Sequence, residues 1–184
     1  MTADDVLEIY TLLLSHDVQI WLDGGWGIDA LLGQQTRPHK DLDAFVTFDS
    51  LPRLATALEA RGFVLKEIWS ENRWLPHDGH VPLIARDAAD TEIATAFVLK
   101  DARGREIDIH AVHFGSEHRR PIPAWDSDMA FADDALAWHG TILGSPVRCL
   151  SPAMHMQTHT GYPLQDKDVQ DLRHLHERFG VEYV

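Results

Sequence analysis

A pair of glycines between a short apolar strand and a helix limits the fold of this chain more than any other sequence feature. Residues 18–22 are mainly apolar and favour a strand, and Gly24 and Gly25 follow one residue later. Because glycine has no Cβ, such a pair lets the backbone bend sharply and lets other groups come close to its amides. Residues 26–32 then predict a short helix that ends at Gly33.

The next predicted strand carries acidic residues in alternation. Residues 42–48 favour a strand, and Asp41 and Asp43 flank Leu42 at its start. Because successive side chains of a strand point to opposite faces, the two carboxylates share one face. Carboxylate oxygens arranged in this way are typical ligands of Mg²⁺. The segment is therefore a candidate metal site.

A later strand repeats this alternation. Residues 106–112 place Ile107 and Ile109 on one face, and Asp108 and His110 on the other. If this strand lies beside the first acidic strand, Asp108 completes a cluster of three carboxylates. Such a cluster is unfavourable unless cations neutralise it. Two Mg²⁺ ions about 3.5–4 Å apart would do so, and would clamp the oxygens of an in-line displacement.

Groups that suit phosphate lie close to these acidic residues. The backbone amides of Gly24 and Gly25, at the start of a helix, can bind phosphate oxygens. Arg37 can bind a phosphate through two nitrogens, and Lys40 adds a point charge. Alone, each feature has a simpler structural explanation, since a glycine pair is often only a turn and a charged side chain is often only solvated. Their joint occurrence predicts a site for a nucleoside triphosphate and its metal ions.

Strands and helices alternate along the first 115 residues, which predicts an α/β (α+β) fold with a mixed sheet flanked by helices. The other predicted elements are a helix at 3–15, a helix between Ser50 and Gly62, a strand at 63–68, a hairpin of 92–99 with 106–112, a hairpin of 138–143 with 147–150, a helix after Ser151 and a last helix ended by Gly180. We therefore predict a sheet domain at 1–115 and a small, mainly helical C-terminal appendage at 116–184 that completes the cleft.

The charge balance limits the partners of this chain. It contains 29 acidic and 16 basic residues, which gives a formal net charge of −13. Proteins that bind nucleic acid normally present a basic face, so this balance argues against a nucleic-acid partner. It is compatible with a cationic small molecule, which the field of the protein would attract. The N-terminal residues lack the features of a signal peptide and no apolar run is long enough to span a membrane, so we expect a cytoplasmic protein without a membrane partner.

These motifs together resemble the nucleotidyltransferase superfamily that includes DNA polymerase beta. Its pattern is Gly-Gly or Gly-Ser, then Asp-x-Asp, then a third carboxylate on a later strand. Within it, residues 21–29 and 36–43 are similar to the small antibiotic nucleotidyltransferases of the lincosamide and aminoglycoside 2″-O types. Residues 107–110 match their third-carboxylate strand, and residues 159–162 resemble the end of the lincosamide enzymes. Residues 70–100 match this family poorly.

The resemblance implies a nucleotidyltransferase fold and a role for each motif residue. Asp41 and Asp43 would ligate two Mg²⁺ ions, and Asp108 would ligate the second ion and accept the proton of the attacking hydroxyl. The glycine pair would hold the triphosphate of ATP or another nucleoside triphosphate, Arg37 would hold its tail, and Lys40 would add charge.

The implied enzyme transfers a nucleoside monophosphate, most simply AMP from ATP, to a hydroxyl of a small molecule and releases pyrophosphate. The acceptor would be an aminoglycoside or a lincosamide antibiotic. Two alternatives remain at this level, namely a toxin-like nucleotidyltransferase that modifies protein or tRNA, and a catalytically inactive nucleotide-binding module. A homodimer, in which a partner subunit completes the cleft, is also compatible with a chain of 184 residues.

Overall fold

The computed structural model describes residues 1–70, 73–79, 96–114, 121–122, 131–160 and 162–183. The helices are α1 (Ala3–Ser15), α2 (Gly24–Leu32), α3 (Leu51–Glu59), α4 (Pro152–Thr158) and α5 (Asp166–Phe179). The strands are β1 (Ile20–Leu22), β2 (Leu42–Thr47), β3 (Val64–Ser70), β4 (Arg73–Gly79), β5 (Ala96–Lys100), β6 (Glu106–Phe114), β7 (Pro121–Ile122), β8 (Trp138–Ile142) and β9 (Ser145–Cys149). None of the described helices is long and apolar enough to cross a bilayer.

Eight strands form a mixed sheet in the order β4-β3-β5-β6-β2-β1-β9-β8, and the short β7 pairs with the end of β6. The neighbours β2 and β6 are parallel, β1 is antiparallel to β2, and β5 forms the expected antiparallel hairpin with β6. The predicted mixed sheet flanked by helices is therefore confirmed. Residues 92–95, which the sequence assigned to the same hairpin, lie outside the described residues.

The face of the sheet that packs on α1 and α3 holds the main core. Leu42 and Ala44 of β2 and Ile107 and Ile109 of β6 are fully buried in it. Burying one large aliphatic side chain contributes about 1.5–3 kcal/mol, so this face fixes the register of the two strands. The alternate residues of the same strands must therefore point to the opposite face of the sheet.

The C-terminal segment contributes both strands and helices to this architecture. The hairpin of β8 and β9 continues the central sheet, because β9 pairs in parallel with β1 through Cys149 and Leu22. Helices α4 and α5 pack against α2 through a separate apolar cluster that includes Ile28, Met156 and Leu172. The sequence indicated the hairpin and the two helices, but not that the hairpin would extend the sheet. The division at residue 115 stays a prediction.

The boundaries of α2 differ from the sequence prediction in one respect that concerns the site. The helix begins at Gly24 rather than at Trp26, so both glycines belong to its first turn. It ends at Gly33, which adopts the left-handed conformation with φ of 71° as predicted.

Candidate active site

Two acidic side chains lie next to each other on the face of the sheet opposite the main core, which we call the open face. Asp43 of β2 and Asp108 of β6 are direct partners in the parallel register. Neighbouring strands are about 4.8 Å apart, so these carboxylates are close neighbours. Oδ1 of Asp108 is buried and finds no hydrogen-bond partner in the part of the chain that the structure describes, although Nε2 of His110 lies 3.4 Å from it. This pairing agrees with the arrangement that alternation predicted.

Burial and mutual repulsion both oppose the ionised forms of this pair. Burial first, and then the charges of Asp108 and Asp41, raise the pKa of Asp43 to about 8. Burial, followed by the charges of Asp41 and Asp23, raises the pKa of Asp108 to about 7. Two buried carboxylates that repel each other bind a cation favourably, because the cation removes the repulsion that burial has strengthened.

Asp41 has a more exposed position than the paired aspartates. It precedes β2, its side chain is 38% exposed, and Oδ2 lies 3.8 Å from Nζ of Lys40. Across the described ranges, no three His, Cys, Asp or Glu side chains are grouped so that they could hold a metal ion. The structure thus pairs Asp43 with Asp108 in the sheet register, while the more exposed Asp41 lines the cleft beside Asp43, and its charge helps to raise the pKa of Asp108.

The first turn of α2 runs very close to β2. Gly24 has φ of 53°, and a Cβ at this position would collide with the carboxylate of Asp43. A Cβ on Gly25 would collide with the imidazole of His39. The two glycines are therefore required for this close approach. Asp23 occupies the N-cap position but makes no capping hydrogen bond to the helix amides.

The side chain of Asp23 instead faces α4. Its Oδ1 lies 3.0 Å from Nδ1 of His155 and accepts a hydrogen bond of 3.3 Å from Oγ1 of Thr158. Burial raises the pKa of Asp23, but the contact with His155 and the charges of His155 and His159 outweigh it and hold this pKa at about 2. Sequence reasoning did not identify this contact, because it joins residues that are more than 130 positions apart.

Arg37 lies at the edge of the cleft and is held by α5. Its Nε donates to both carboxylate oxygens of Asp171, at 3.1 Å each, and its side chain is 19% exposed. Asp29 holds the same loop through Thr36, whose amide and hydroxyl donate to Oδ1 at 2.9 and 2.6 Å, and through His39, which pairs with Oδ2. Two buried carboxylates therefore fix the loop that carries Arg37.

Lys40 extends from the other end of this loop. Its side chain is 74% exposed, and Nζ lies 3.0 Å from Oε2 of the buried Glu106. The contact with Glu106 raises the pKa of Lys40 and outweighs burial, which lowers it. The predicted point charge is thus present at the site, with a carboxylate partner that the sequence did not suggest.

A polar cleft of about 490 Å³ lies beside the aspartate pair, and Asp43, Arg37 and Lys40 are among the residues that line it. Its N-terminal lining comes from the glycine turn, the loop that carries Arg37 and Lys40, and the acidic end of β2. Its C-terminal lining residues are Thr158, His159, Tyr162, Lys167 and Asp168. The C-terminal segment therefore forms one wall of the cleft.

A model of the family described as aminoglycoside-2''-adenylyltransferase matches residues 5–86 and 84–175. The chain belongs to this family. It is therefore an enzyme of an antibiotic adenylyltransferase family, as its motifs indicated. Because an adenylyltransferase transfers the AMP portion of ATP, ATP is the co-substrate.

Relatives of this adenylyltransferase act on two antibiotic classes. It is 23% identical over 176 residues to a lincosamide resistance protein of Staphylococcus haemolyticus. The match covers 95% of this chain and 94% of that protein. Its structure is similar to a lincomycin-bound crystal structure of the lincosamide antibiotic adenylyltransferase LnuA, with a TM-score of 0.70, 22% identity and coverage of 95% and 96% of the two chains. ANT(2")-Ia in complex with adenylyl-2"-tobramycin matches with a TM-score of 0.64, 19% identity and coverage of 95% and 87%. These structural matches show the nucleotidyltransferase-like fold.

Proposed function

We propose that this chain is an Mg²⁺-dependent adenylyltransferase that transfers AMP from ATP to a hydroxyl group of an aminoglycoside or lincosamide antibiotic. The observation that carries the proposal is the direct pairing of Asp43 and Asp108 beside the first turn of α2. This pairing sets metal-binding oxygens next to backbone amides that suit phosphate. Membership in the adenylyltransferase family supports the reaction class.

The chemistry of the pair fits Mg²⁺. Both side chains offer the hard oxygen ligands that this ion prefers, and both pKa values are raised. No described residue forms a hydrogen bond with Oδ1 of Asp108. Asp43 and Asp108 would hold the ion together with Asp41, which exchanges its contact with Lys40 for the ion. When bound, Mg²⁺ would neutralise the charge that develops on the phosphate oxygens.

The nucleotide would lie along the wall that α2 and its following loop form. Amides of Gly24 and Gly25 would bind phosphate oxygens of ATP, and Arg37 would bind the β- and γ-phosphates. Lys40, which also lines the cleft, would add positive charge. These contacts would position the α-phosphorus near the paired carboxylates, and positioning is the main contribution of a protein to phosphoryl transfer.

The proposed reaction is a single in-line displacement. The oxygen of the acceptor hydroxyl forms a bond to the α-phosphorus of ATP. The bond from this phosphorus to the oxygen that bridges to the β-phosphate breaks, and pyrophosphate leaves with that electron pair. We assign the hydroxyl proton to Asp108, because its carboxylate lies beside that of Asp43 and its Oδ1 finds no hydrogen-bond partner among the described residues.

Turnover with two acceptors tests this function. We expect the wild-type protein, with ATP and Mg²⁺, to release pyrophosphate in the presence of tobramycin or lincomycin, and mass spectrometry to show one adenylyl group on the antibiotic. Asp43→Asn should lower kcat by at least about a thousandfold, because it removes an anionic metal ligand while keeping the side-chain shape.

The control is Asp49→Asn, which changes an exposed aspartate just after the same strand and should retain wild-type activity. Near-normal turnover by Asp43→Asn would contradict the metal assignment. Transfer of radiolabelled AMP to protein, with no antibiotic product, would instead support the alternative of a protein-modifying enzyme.

A further inference from the structure

A further carboxylate lies in line with the paired aspartates. In the sheet register, Asp43 is opposite Asp108, Asp108 is opposite Val98, and Val98 is opposite Glu67. Side chains at directly opposed positions lie on the same face of a sheet. Glu67 of β3 therefore shares the open face with Asp108, at a distance of two strand spacings, or about 10 Å.

A β-bulge explains why Glu67 points to this face. Leu65 is buried in the main core, and simple alternation would turn Glu67 to the same side. Relative to β5, the register shifts between Leu65 and Glu67, so Lys66 is an extra residue in β3 on that side. After the bulge, Ile68 packs against the core and Glu67 faces away from it. Bulges often redirect a side chain beside a functional site in this way.

The surroundings of Asp108 also indicate that Glu67 is close to the site. After burial, Asp41 and Asp23, the charge of Glu67 is the next influence that raises the pKa of Asp108. Among the described residues, the ion pair of Glu67 is with Lys66, at 3.4 Å, and Lys66 also lies 3.3 Å from Glu106. Because Lys66 is shared with a second carboxylate, Glu67 keeps net negative charge that an incoming cation can meet.

An exposed aromatic side chain continues the same surface. Trp69 follows Glu67 by two residues and therefore shares its face of β3. Its side chain is partly exposed and contacts Trp74 of β4 edge to face, with ring centroids 5.4 Å apart. An indole next to a carboxylate suits a sugar ring that bears an ammonium group, since the ring stacks and the cation is paired.

We infer that Glu67 and Trp69 form the acceptor-binding part of the site, and that they select a polycationic amino sugar, an aminoglycoside, over a lincosamide. The inference rests on the proposed function and refines its acceptor. An aminoglycoside carries several protonated amines on linked rings, so one ring can present its hydroxyl near Asp108 while an amine reaches Glu67. A lincosamide has a single amine and cannot supply this spread of charge.

Kinetics and binding with Glu67→Gln test the inference. The KM of the variant for tobramycin should rise by about tenfold or more, the usual effect of removing a charge-assisted hydrogen bond, while kcat and the KM for ATP stay within about twofold. Trp69→Leu should raise the same KM about threefold to tenfold through lost stacking. Wild-type kcat/KM should be higher for tobramycin than for lincomycin. Calorimetric titration of tobramycin in Mg²⁺ buffer without ATP should reproduce the loss of affinity in Glu67→Gln.

The matched control is Glu182→Gln, which makes the same change in net charge at an exposed site outside the cleft and should bind tobramycin as the wild type does. Equal tobramycin affinity of Glu67→Gln and wild type, no tobramycin binding by the wild type, or a wild-type preference for lincomycin would overturn the inference. Tobramycin binding that depends on Glu67 without any transfer of AMP would support the subsite and overturn the proposed function instead.

Discussion

At the scale of single residues, Arg37 shows how a predicted phosphate ligand is held before a nucleotide binds. Its Nε faces the two oxygens of Asp171, which is completely buried. Its Nη1 lies 3.4 Å from the carbonyl of Pro38, a long hydrogen bond that a phosphate oxygen could replace. Because Nη2 also donates to Oδ2 of Asp171, this carboxylate fixes the direction of the guanidinium through two nitrogens and leaves Nη1 as the nitrogen for a phosphate.

Asp171→Asn should weaken nucleotide binding more than catalysis. The variant keeps one acceptor oxygen but loses the charge that aligns Arg37, so we expect the KM for ATP to rise about tenfold with kcat changed less than about threefold. Steady-state kinetics over a range of ATP concentrations measure both values. Asp166→Asn, an exposed change on the same helix, is the control and should leave them unaltered. An unchanged KM for ATP in Asp171→Asn would show that Arg37 does not need this partner.

At the scale of elements, the approach of α2 to β2 depends on Gly24. Both Gly24 and Gly62 have positive φ, at 53° and 81°, so an alanine at either position carries a similar backbone cost. At Gly62 no atom of the described residues lies within 4 Å of the position that a Cβ would take, whereas at Gly24 the carboxylate of Asp43 occupies that space. A comparison of alanine variants at the two glycines therefore separates the free-energy cost of a positive φ from that of a steric collision.

Gly24→Ala should be more destabilising than Gly62→Ala. We expect a loss of about 1 kcal/mol in the free energy of unfolding for Gly62→Ala and about 2–4 kcal/mol for Gly24→Ala, because overpacking adds to the backbone strain. Urea unfolding monitored by circular dichroism measures this difference. Gly24→Ala should also lose activity through displacement of Asp43, while Gly62→Ala should remain active. Equal destabilisation of the two variants would contradict the close approach.

Local patterns predicted the elements and the aspartate pair, but not the contacts that reach across the chain. Alternation placed Asp43 and Asp108 on one face, and the buried isoleucines of β6 show why that reasoning succeeded. Alternation alone could not place Glu67 on this face, because the bulge at Lys66 reverses the alternation in β3. The pairing of Arg37 with Asp171 spans 134 positions, and no local rule specifies it.

At the scale of the whole molecule, the site depends on segments from both ends of the chain. Helix α5 holds Arg37, α4 contacts Asp23, and β9 extends the sheet beside β1. Loss of the C-terminal segment would therefore remove one wall of the cleft and part of the core at once. For this reason the C-terminal segment, although predicted as an appendage, contributes to the fold as well as to the cleft.

A buried carboxylate with three partly exposed lysine partners joins three further segments at the edge of the site. Glu106 of β6 meets Lys40 from the loop before β2, Lys66 of β3 and Lys100 of β5, at 3.0, 3.3 and 3.1 Å. Burial raises the pKa of Glu106, but the three lysines outweigh it and hold this pKa at about 2, below the ordinary value of 4.5. The folded protein therefore binds this proton more weakly than the unfolded chain does.

This difference makes the stability of the protein depend on pH in a defined direction. The contribution of Glu106 is fully present above about pH 4.5 and is lost as the pH falls towards 2. Because the lysine ammonium groups are partly exposed, we expect Glu106→Gln to lower the free energy of unfolding by about 1–2 kcal/mol at pH 7. The difference from the wild type should shrink below pH 4.5 and be small by about pH 2.5. Urea titrations at a series of pH values measure it, with Glu182→Gln as the exposed control, and a difference that stays constant across this range would show that the lysines do not stabilise the ionised carboxylate.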